Sequence, residues 1–566
     1  MKHLKKIAGF VLAMVMIIAL NCVVFAADTA FPDSPTSTKA DISAHTFSAY
    51  QIFKGDVTGG TLLNIDWGTG IKAQDFLAAL KGSTAFNVNG VNPFASIQYE
   101  VEAPYKSADA VARVMQDLKT PSNSWGSDAI NNGELTAEAL DGRAREFARI
   151  ADANKTEVKI AAGQSLSAGY YLVVDETTLL TGDNEVRNLS ILQMVADSQF
   201  RPVNKTDVPE LEKKVKEIND SDVIVIDKWG DVADYDIGDD VEFVLTGTLP
   251  TDYASYKTYK YVFHDTLGDG FTLNEGSVEV YINDTKVESG FTVATTNIDG
   301  ESLRVTFNNL KENNAVSANS IIRVAYTAKL SGTNVVVGGT GNENRAHLEY
   351  SNDPNSDGTG TPPTGTTPED KVVVFTFQLD ADKIDEKGDA LAGAGFSLYK
   401  LNKDTQQYEA YTNEGIGTIE KIDSEGNKYY EITDVTEFTF KGVDAGMYKL
   451  VETTVPAGYN KAEDMYFTIE AVIDEKTQSV TDLKIGKVTD ADGTEITDAV
   501  GNAVYTFSLK DNDASTGTLN TSIVNLKGIL LPSTGGIGTT IFYIVGGILV
   551  VGAGIILVAR KRMNSR

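Results

Sequence analysis

One cysteine in 566 residues, Cys22, lies inside an apolar stretch near the N-terminus. Removing that stretch leaves a chain without thiols, which excludes disulfides, thiolate metal sites, a cysteine nucleophile and a thioester. Any covalent cross-link must come from other side chains. Histidine is almost as scarce: His3, His45, His264 and His347 are the four, and no GxSxG or HExxH pattern accompanies them, so no hydrolase or zinc-protease centre is in view. Positive charge is in deficit as well. Against 79 acidic residues stand 49 basic ones, a net charge of −30, and a chain of that sign repels phosphate, which argues against a nucleic-acid partner.

The first residues, MKHLKKIAGFVLAMVMIIALNCVVFAADTA, run from basic through apolar to small side chains. That is the layout of a secretory signal peptide, with cleavage after Ala26 or Ala27. Asn21 in front of Cys22 does not suit a lipid-acceptor cysteine. At the other end LPSTGG, from Leu531 to Gly536, precedes an apolar run from Ile537 to Ala559 and then Arg560, Lys561 and Arg562. The run is long enough for a bilayer and the basic tail would hold its end in the cytoplasm. The ordered triplet resembles the sorting signal of sortase substrates. That resemblance implies recognition of Leu531 and Pro532, cleavage between Thr534 and Gly535, and transfer of the Thr534 acyl group to an amine.

Between the ends the pattern predicts a mainly β chain. Residues 28–204 mix strand-like runs (HTFSAYQIF, AGYYLVVDE, LSILQMVA) with AQDFLAALKG, ADAVARVMQDLK and ELTAEALDGRAREFARIAD, whose apolar residues recur at helical spacing, an α+β domain. Residues 205–353 alternate apolar and polar at period two between Gly, Asn and Asp turns, as a β-sandwich does. A Gly/Pro/Thr stretch, 354–370, reads as a linker. Strands resume over 371–530, a second sandwich, and 531–566 is the sorting segment.

Polar residues on core parity stand out in both sandwiches, because one parity of a half-buried strand faces the core. Val373, Phe375, Phe377, Leu379 and Ala381 share a face with Lys383; Tyr448 and Leu450 share one with Glu452; Ile523 shares one with Asn525. The first sandwich repeats the set: Leu211 and Val215 flank Lys213, Tyr261, Phe263 and Leu267 flank Asp265, and Ala346, Leu348 and Tyr350 follow Asn344. Lys214 is the rival for Lys213 but faces the other way. Each residue alone fits a satisfied buried hydrogen bond. As sets of amine, carboxyl and carboxamide they fit one chemistry, since burial neutralises both amine and acid and a neutral amine can attack the Asn carbonyl while the acid relays protons and ammonia leaves. The product is an intramolecular isopeptide bond.

YKLVETTVPAGY is similar to the E-box of Gram-positive pilins, Tyr-x-Leu-x-Glu-Thr-x-x-Pro-x-Gly-Tyr. The last domain, from DKIDEKGDALAGAGFSLYK to IVNLKGILLPSTGG, resembles a collagen-adhesin B-type module, and the middle one resembles the central module of backbone pilins, of collagen-adhesin A-type. The architecture implied is tandem immunoglobulin-like β-sandwiches after the α+β domain. Carried over by resemblance, Lys383 is the amine, Asn525 the acceptor and Glu452 the catalyst; in the middle domain they are Lys213, Asn344 and Asp265.

Backbone pilins carry their polymerising lysine at the end of the N-terminal domain in a motif such as Tyr-Pro-Lys-Asn. This chain has FRPVNKTDVP there, placing Lys205 in a loop between Pro202 and Pro209, with Asn204 where the motif has proline. Two readings of Lys205 stand: the polymerising lysine, or a linker lysine. The resemblance implies a pilus shaft subunit, not an enzyme, without cofactor or metal. Its partners would be pilus-specific and housekeeping sortases, further copies of itself, ancillary tip and base pilins, peptidoglycan and host surface ligands. A monomeric wall-anchored adhesin with the same modules is the alternative. DADGTEITD, 490–498, reads as a hairpin turn rather than a calcium loop, because its glycine comes too early. Lys54 and Glu176 are conceivable members of a staple in the first domain.

Overall fold

The computed structural model describes residues 31–88, 90–99, 106–119, 137–178, 182–218, 228–296, 298–433, 435–528 and 537–563. The leader and the LPSTG residues Leu531, Pro532, Thr534 and Gly535 lie outside them. The chain is mainly β, arranged in several sheets along its length.

The first unit is a five-stranded sheet ordered Thr61–Trp67, Phe47–Thr58, Gly169–Asp175 and Ile191–Val195, with Ile160–Ala161 paired to the second of these. Helices form where apolar residues recur at helical spacing, over Ala73–Gly82, Ser107–Lys119 and Ala137–Ala153. They bury Phe76, Leu80, Val111 and Phe147 against Tyr50, Ile52, Leu172 and Val174 of the sheet. Strand alternation sends Phe47, Ala49, Tyr171 and Val173 to the opposite face, into a smaller core.

The middle unit packs two seven-stranded sheets face to face. One runs Leu211–Glu217, Asp240–Gly247, Ile322–Leu330 and Glu279–Ile282 through its centre; the other runs Asp370–Phe375, Asn342–Ser351, Tyr261–Leu267 and Leu303–Phe307. Their apolar parities interdigitate, Val215, Phe243, Leu245 and Val324 from one sheet meeting Tyr261, Phe263, Val305 and Leu348 from the other. The last unit packs a four-stranded sheet, Glu437–Val443, Phe377–Asp385, Thr518–Asn525 and Ser508–Leu509, on a seven-stranded one that includes Gly395–Asn402, Gly446–Thr454, Met465–Asp474 and Ser479–Ile485. Its first strand, Phe377–Asp385, lies parallel to its last, Thr518–Asn525, with Lys383 opposite Ile523 and Asp385 opposite Asn525.

Strand Asp370–Phe375 falls in the middle sheet, pairing antiparallel with Asn342–Ser351 and parallel with Val232–Asp234. Sequence parity groups it with the strand after it, and parity explains why it can do both jobs. Val372 and Val374 belong to the middle core, whereas Val373 and Phe375 belong to the last one. Only Thr376 separates it from Phe377–Asp385. The Gly/Pro/Thr stretch is likewise no free tether: Thr364–Thr366 pairs with Glu349 to Ser351, the Ser190 N–H donates to Asn355 Oδ1 at 2.7 Å and the Asn184 N–H donates to the Thr366 carbonyl at 2.7 Å.

Helix Ile537–Met563 covers the C-terminal apolar run. Among the described residues no helix is long and apolar enough to cross a membrane, so the expected span over 537–559 gains no support here.

Candidate functional site

Lys213 is the third residue of its strand, Leu211–Glu217, with parity toward the core, and its side chain is fully buried. Asp265 and Asn344 come from the facing sheet, on neighbouring strands, and are equally buried. The Lys213 amine contacts the Asp265 carboxyl and donates to the Tyr326 hydroxyl at 3.0 Å. That hydroxyl donates to Asp265 at 2.9 Å and accepts from Asn344 Nδ2 at 2.7 Å. Burial drives the Lys213 amine below the ordinary lysine range, against the pull of Asp265, and raises the Asp265 carboxyl above the ordinary range, against the pull of Lys213. Both shifts favour the same rearrangement: the shared proton rests on the acid and the amine keeps a lone pair. Asn344 Oδ1 is buried without a partner among the described residues.

Lys214 points the other way, as strand parity requires, and pairs with Asp231 at 2.6 Å and Glu212 at 2.9 Å. It is no competitor for the buried site.

The second cluster is built differently. Lys383 and Asn525 lie on adjacent parallel strands of one sheet, and Glu452 reaches them from the facing sheet. All three are at most 1 % exposed. Asn525 Nδ2 donates to Glu452 Oε1 at 2.7 Å, and Glu452 Oε2 accepts the Ala462 N–H at 2.7 Å, which fixes the carboxyl's orientation. The Lys383 amine donates to the Ile523 carbonyl at 3.1 Å and the Ile384 carbonyl at 3.2 Å. Burial holds it below the ordinary lysine range. A neutral amine has two N–H donors and one lone pair; two carbonyls take the donors and leave the lone pair. Asn525 Oδ1, like Asn344 Oδ1, is buried and without a partner among the described residues.

The first domain does not assemble the conceivable staple. Lys54 is solvent-exposed, 3.5 Å from Asp66, while Glu176 accepts from Ser48 at 2.9 Å and contacts Tyr50 and Lys159. Antiparallel pairing puts Lys54 opposite Gly169, at the far end of the strand that leads into Glu176.

Lys205 is exposed in the loop between the first two units. Its neighbours are pinned: its own N–H donates to Asn188 Oδ1 at 2.9 Å, and the Thr206 N–H to Asn204 Oδ1 at 3.1 Å. The DADGTEITD segment is a turn closed by the Asp490 N–H to the Thr494 carbonyl at 2.9 Å. His264 and His347 stack at 4.6 Å on the outer face, and His264 Nδ1 lies 2.9 Å from Glu301.

Sequence reading missed two groups. Tyr326 sits on core parity in IRVAYTAKL, where a tyrosine hydroxyl must find a partner, but only the fold shows which. Asp236, Lys400 and Asp444 come from three separate segments and meet where the middle and last units join. Lys400 contacts Asp236 and lies 3.0 Å from Asp444, and the Asp444 N–H donates to Asp236 Oδ1 at 2.9 Å.

Comparison with known families places two segments. Residues 377–485 match a prealbumin-like fold domain and residues 527–565 match the LPXTG cell wall anchor motif. The protein is a cell-wall-anchored surface protein. Its sequence is 26 % identical over 398 residues to the trypsin-resistant surface T6 protein of Streptococcus pyogenes serotype M6, covering 64 % of this chain and 70 % of that one. Among solved structures, the T6 backbone pilin of that organism aligns over 88 % of this chain and all of its own at 18 % identity and a TM-score of 0.44. The full-length major pilin SpaD of Corynebacterium diphtheriae aligns over 88 % of this chain and 94 % of its own at 16 % identity and a TM-score of 0.40.

Proposed function

We propose that this surface protein is the shaft subunit of a covalently polymerised pilus. Sortase would cleave after Thr534 and pass its acyl group to Lys205 of another copy, and each copy would carry autocatalytic Lys213–Asn344 and Lys383–Asn525 bonds, promoted by Asp265 and Glu452. The observation that carries the polymer is Lys205: an exposed amine on a loop whose flanking backbone is pinned, in a chain that ends in a wall-anchor motif. Head-to-tail joining of this kind does not close on itself and so builds a filament. Pilus-specific and housekeeping sortases, ancillary tip and base pilins, peptidoglycan and host surface ligands are the partners this role entails.

The two buried trios support the staples. In each, burial favours the neutral amine, and an acid lies within hydrogen-bond reach of the Asn amide, directly or through one hydroxyl. A bond joining strands far apart in the sequence of a domain removes loop-closure entropy from the unfolded chain as a disulfide does, about 4–5 kcal/mol for a loop of roughly 100 residues. Trypsin resistance, which the name of the S. pyogenes relative records for that protein, is the expected behaviour of such domains.

Peptide mass spectrometry of cell-wall extracts tests the polymer. A branched peptide joining the Thr534 carbonyl to the Lys205 side chain is the expected result. Thr534 attached only to peptidoglycan amines, with no subunit-to-subunit branch at any lysine, would instead make the protein a monomeric wall-anchored adhesin.

A further inference from the structure

The two trios differ in how the acid meets the amide. Glu452 touches Asn525 Nδ2 directly at 2.7 Å. In the middle domain no hydrogen bond joins Asp265 to Asn344 among the described residues: the acid is one methylene shorter, and the Tyr326 hydroxyl fills the gap. That single oxygen lies 3.0 Å from Lys213 Nζ, 2.9 Å from both Asp265 oxygens and 2.7 Å from Asn344 Nδ2. It therefore touches the attacking nitrogen, the acid and the departing nitrogen at once. Tyr326 is fully buried, its ring stacked on Phe243 at 5.4 Å, so the oxygen is held in place.

We propose that Tyr326 is a catalytic residue of the middle-domain cross-link, carrying the proton from Lys213 Nζ to Asn344 Nδ2, so that Asp265 and Tyr326 together perform what Glu452 performs alone. The inference rests on the reading that Lys213 and Asn344 become joined. Neutral Nζ attacks Asn344 Cγ, and the carbonyl π pair moves to Oδ1. Attack turns Nδ2 from a planar amide donor into an amine with a lone pair, and the hydroxyl that accepted from it can now donate to it. Tyr326 takes one proton from Nζ and gives its own to Nδ2; the Cγ–Nδ2 bond breaks, its electron pair leaves with nitrogen as ammonia, and the carbonyl re-forms. One N–H and one C–N bond are made for one of each broken, without redox change or a further reactant.

The test follows both cross-links by mass spectrometry of tryptic peptides from pulse-labelled full-length protein, with the Lys383–Asn525 bond as internal clock. Tyr326→Phe keeps the ring and removes only the oxygen. It is expected to slow closure of Lys213–Asn344 by 100-fold or more, the usual scale of general acid–base assistance, while the clock is unchanged. Tyr326→Phe combined with Asp265→Glu, which reproduces the direct carboxyl reach of the last domain, is expected to restore much of the rate. Closure in Tyr326→Phe at the wild-type rate would overturn the proposal. So would a slowed single variant that Asp265→Glu does not rescue at all, since a packing role alone predicts no rescue. If wild-type protein shows no Lys213–Asn344 peptide while the clock closes, the cross-link reading for the middle domain itself falls.

Discussion

Lys213 and Asp265 illustrate what a dry environment does to two ionisable groups in contact. The ion pair and the neutral pair hold the same number of protons, and desolvation penalises the ion pair. Replacing Asn344 or Lys213 with alanine should leave the purified protein one ammonia heavier than the staple-bearing chain, after correction for the substitution, and should make the middle domain trypsin-sensitive. Glu452→Ala should do the same for the last domain. An intact mass of wild-type protein showing no ammonia deficit would contradict both. Asp252 makes a different case. Both its carboxyl oxygens are buried, and burial raises its pKa from 3.8 to about 7 against the pull of the Asp252 and Asp207 backbone N–H groups and of Lys39, the Asp207 charge adding to the rise. The folded chain then binds more protons than the unfolded chain between those values. Its contribution to stability is full below about pH 4 and declines as pH rises to about 7. Asp252→Asn should stabilise the fold at pH 8 by on the order of a few kcal/mol, read as a higher melting temperature, and give no gain at pH 4.

At the scale of elements, the joint between the middle and last units combines a shared strand with a buried charge cluster. Strand Asp370–Phe375 feeds alternate side chains into two cores. The Ile237 N–H donates to the Gly442 carbonyl at 3.0 Å and the Ala445 N–H to Asp234 Oδ2 at 2.6 Å, so backbone bonds cross the joint as well. Lys400→Met would leave Asp236 and Asp444 facing each other with their buried cation gone, a loss of about 3–5 kcal/mol. Differential scanning calorimetry is expected to show one transition for the two units in wild type and separate transitions in Lys400→Met; a single transition in both would show the shared strand to be sufficient. The last domain also uses one turn repeatedly. At Asp385, Asp423, Asp490 and Asp498 the carboxylate accepts backbone N–H groups two and four residues on, with a left-handed glycine at the fourth position, such as Gly493 at φ +78°. Asp-x-x-Gly is therefore the signature of its hairpins, and it accounts for the early glycine of the 490–498 segment. Gly493→Ala should destabilise the hairpin by about 1 kcal/mol, the cost of placing a Cβ in the left-handed region, readable as faster hydrogen exchange at Thr494.

For the whole molecule, the proposed linkages define a load path. Force entering at Lys205 would meet the Lys213–Asn344 bond, cross the shared strand, meet the Lys383–Asn525 bond and leave at Thr534. The first domain lies before Lys205 and off that path, which agrees with the absence of a buried Lys54–Glu176 pairing. Lys205→Ala should abolish the high-molecular-weight ladder in wall extracts while leaving wall-attached monomer, read by immunoblot. Persistence of the ladder would move the nucleophile to another lysine.

Alternation by itself was enough to assign Lys213, Asp265, Asn344, Lys383, Glu452 and Asn525 to the core, because strand parity is a local property and each of these residues interrupts an apolar face. Helical spacing marked the three helices of the first domain for the same reason, and the anchor motif is contiguous in the chain. Tertiary structure alone decided what depends on distant segments meeting. It put Lys213 and Tyr326 on one sheet opposite Asp265 and Asn344, yet set Lys383 and Asn525 side by side on one sheet. It gave strand Asp370–Phe375 to the middle domain and brought Asp236, Lys400 and Asp444 together. Period-two patterning says which face a side chain takes but not which strand lies across from it, and sheet order is fixed only when the two cores close.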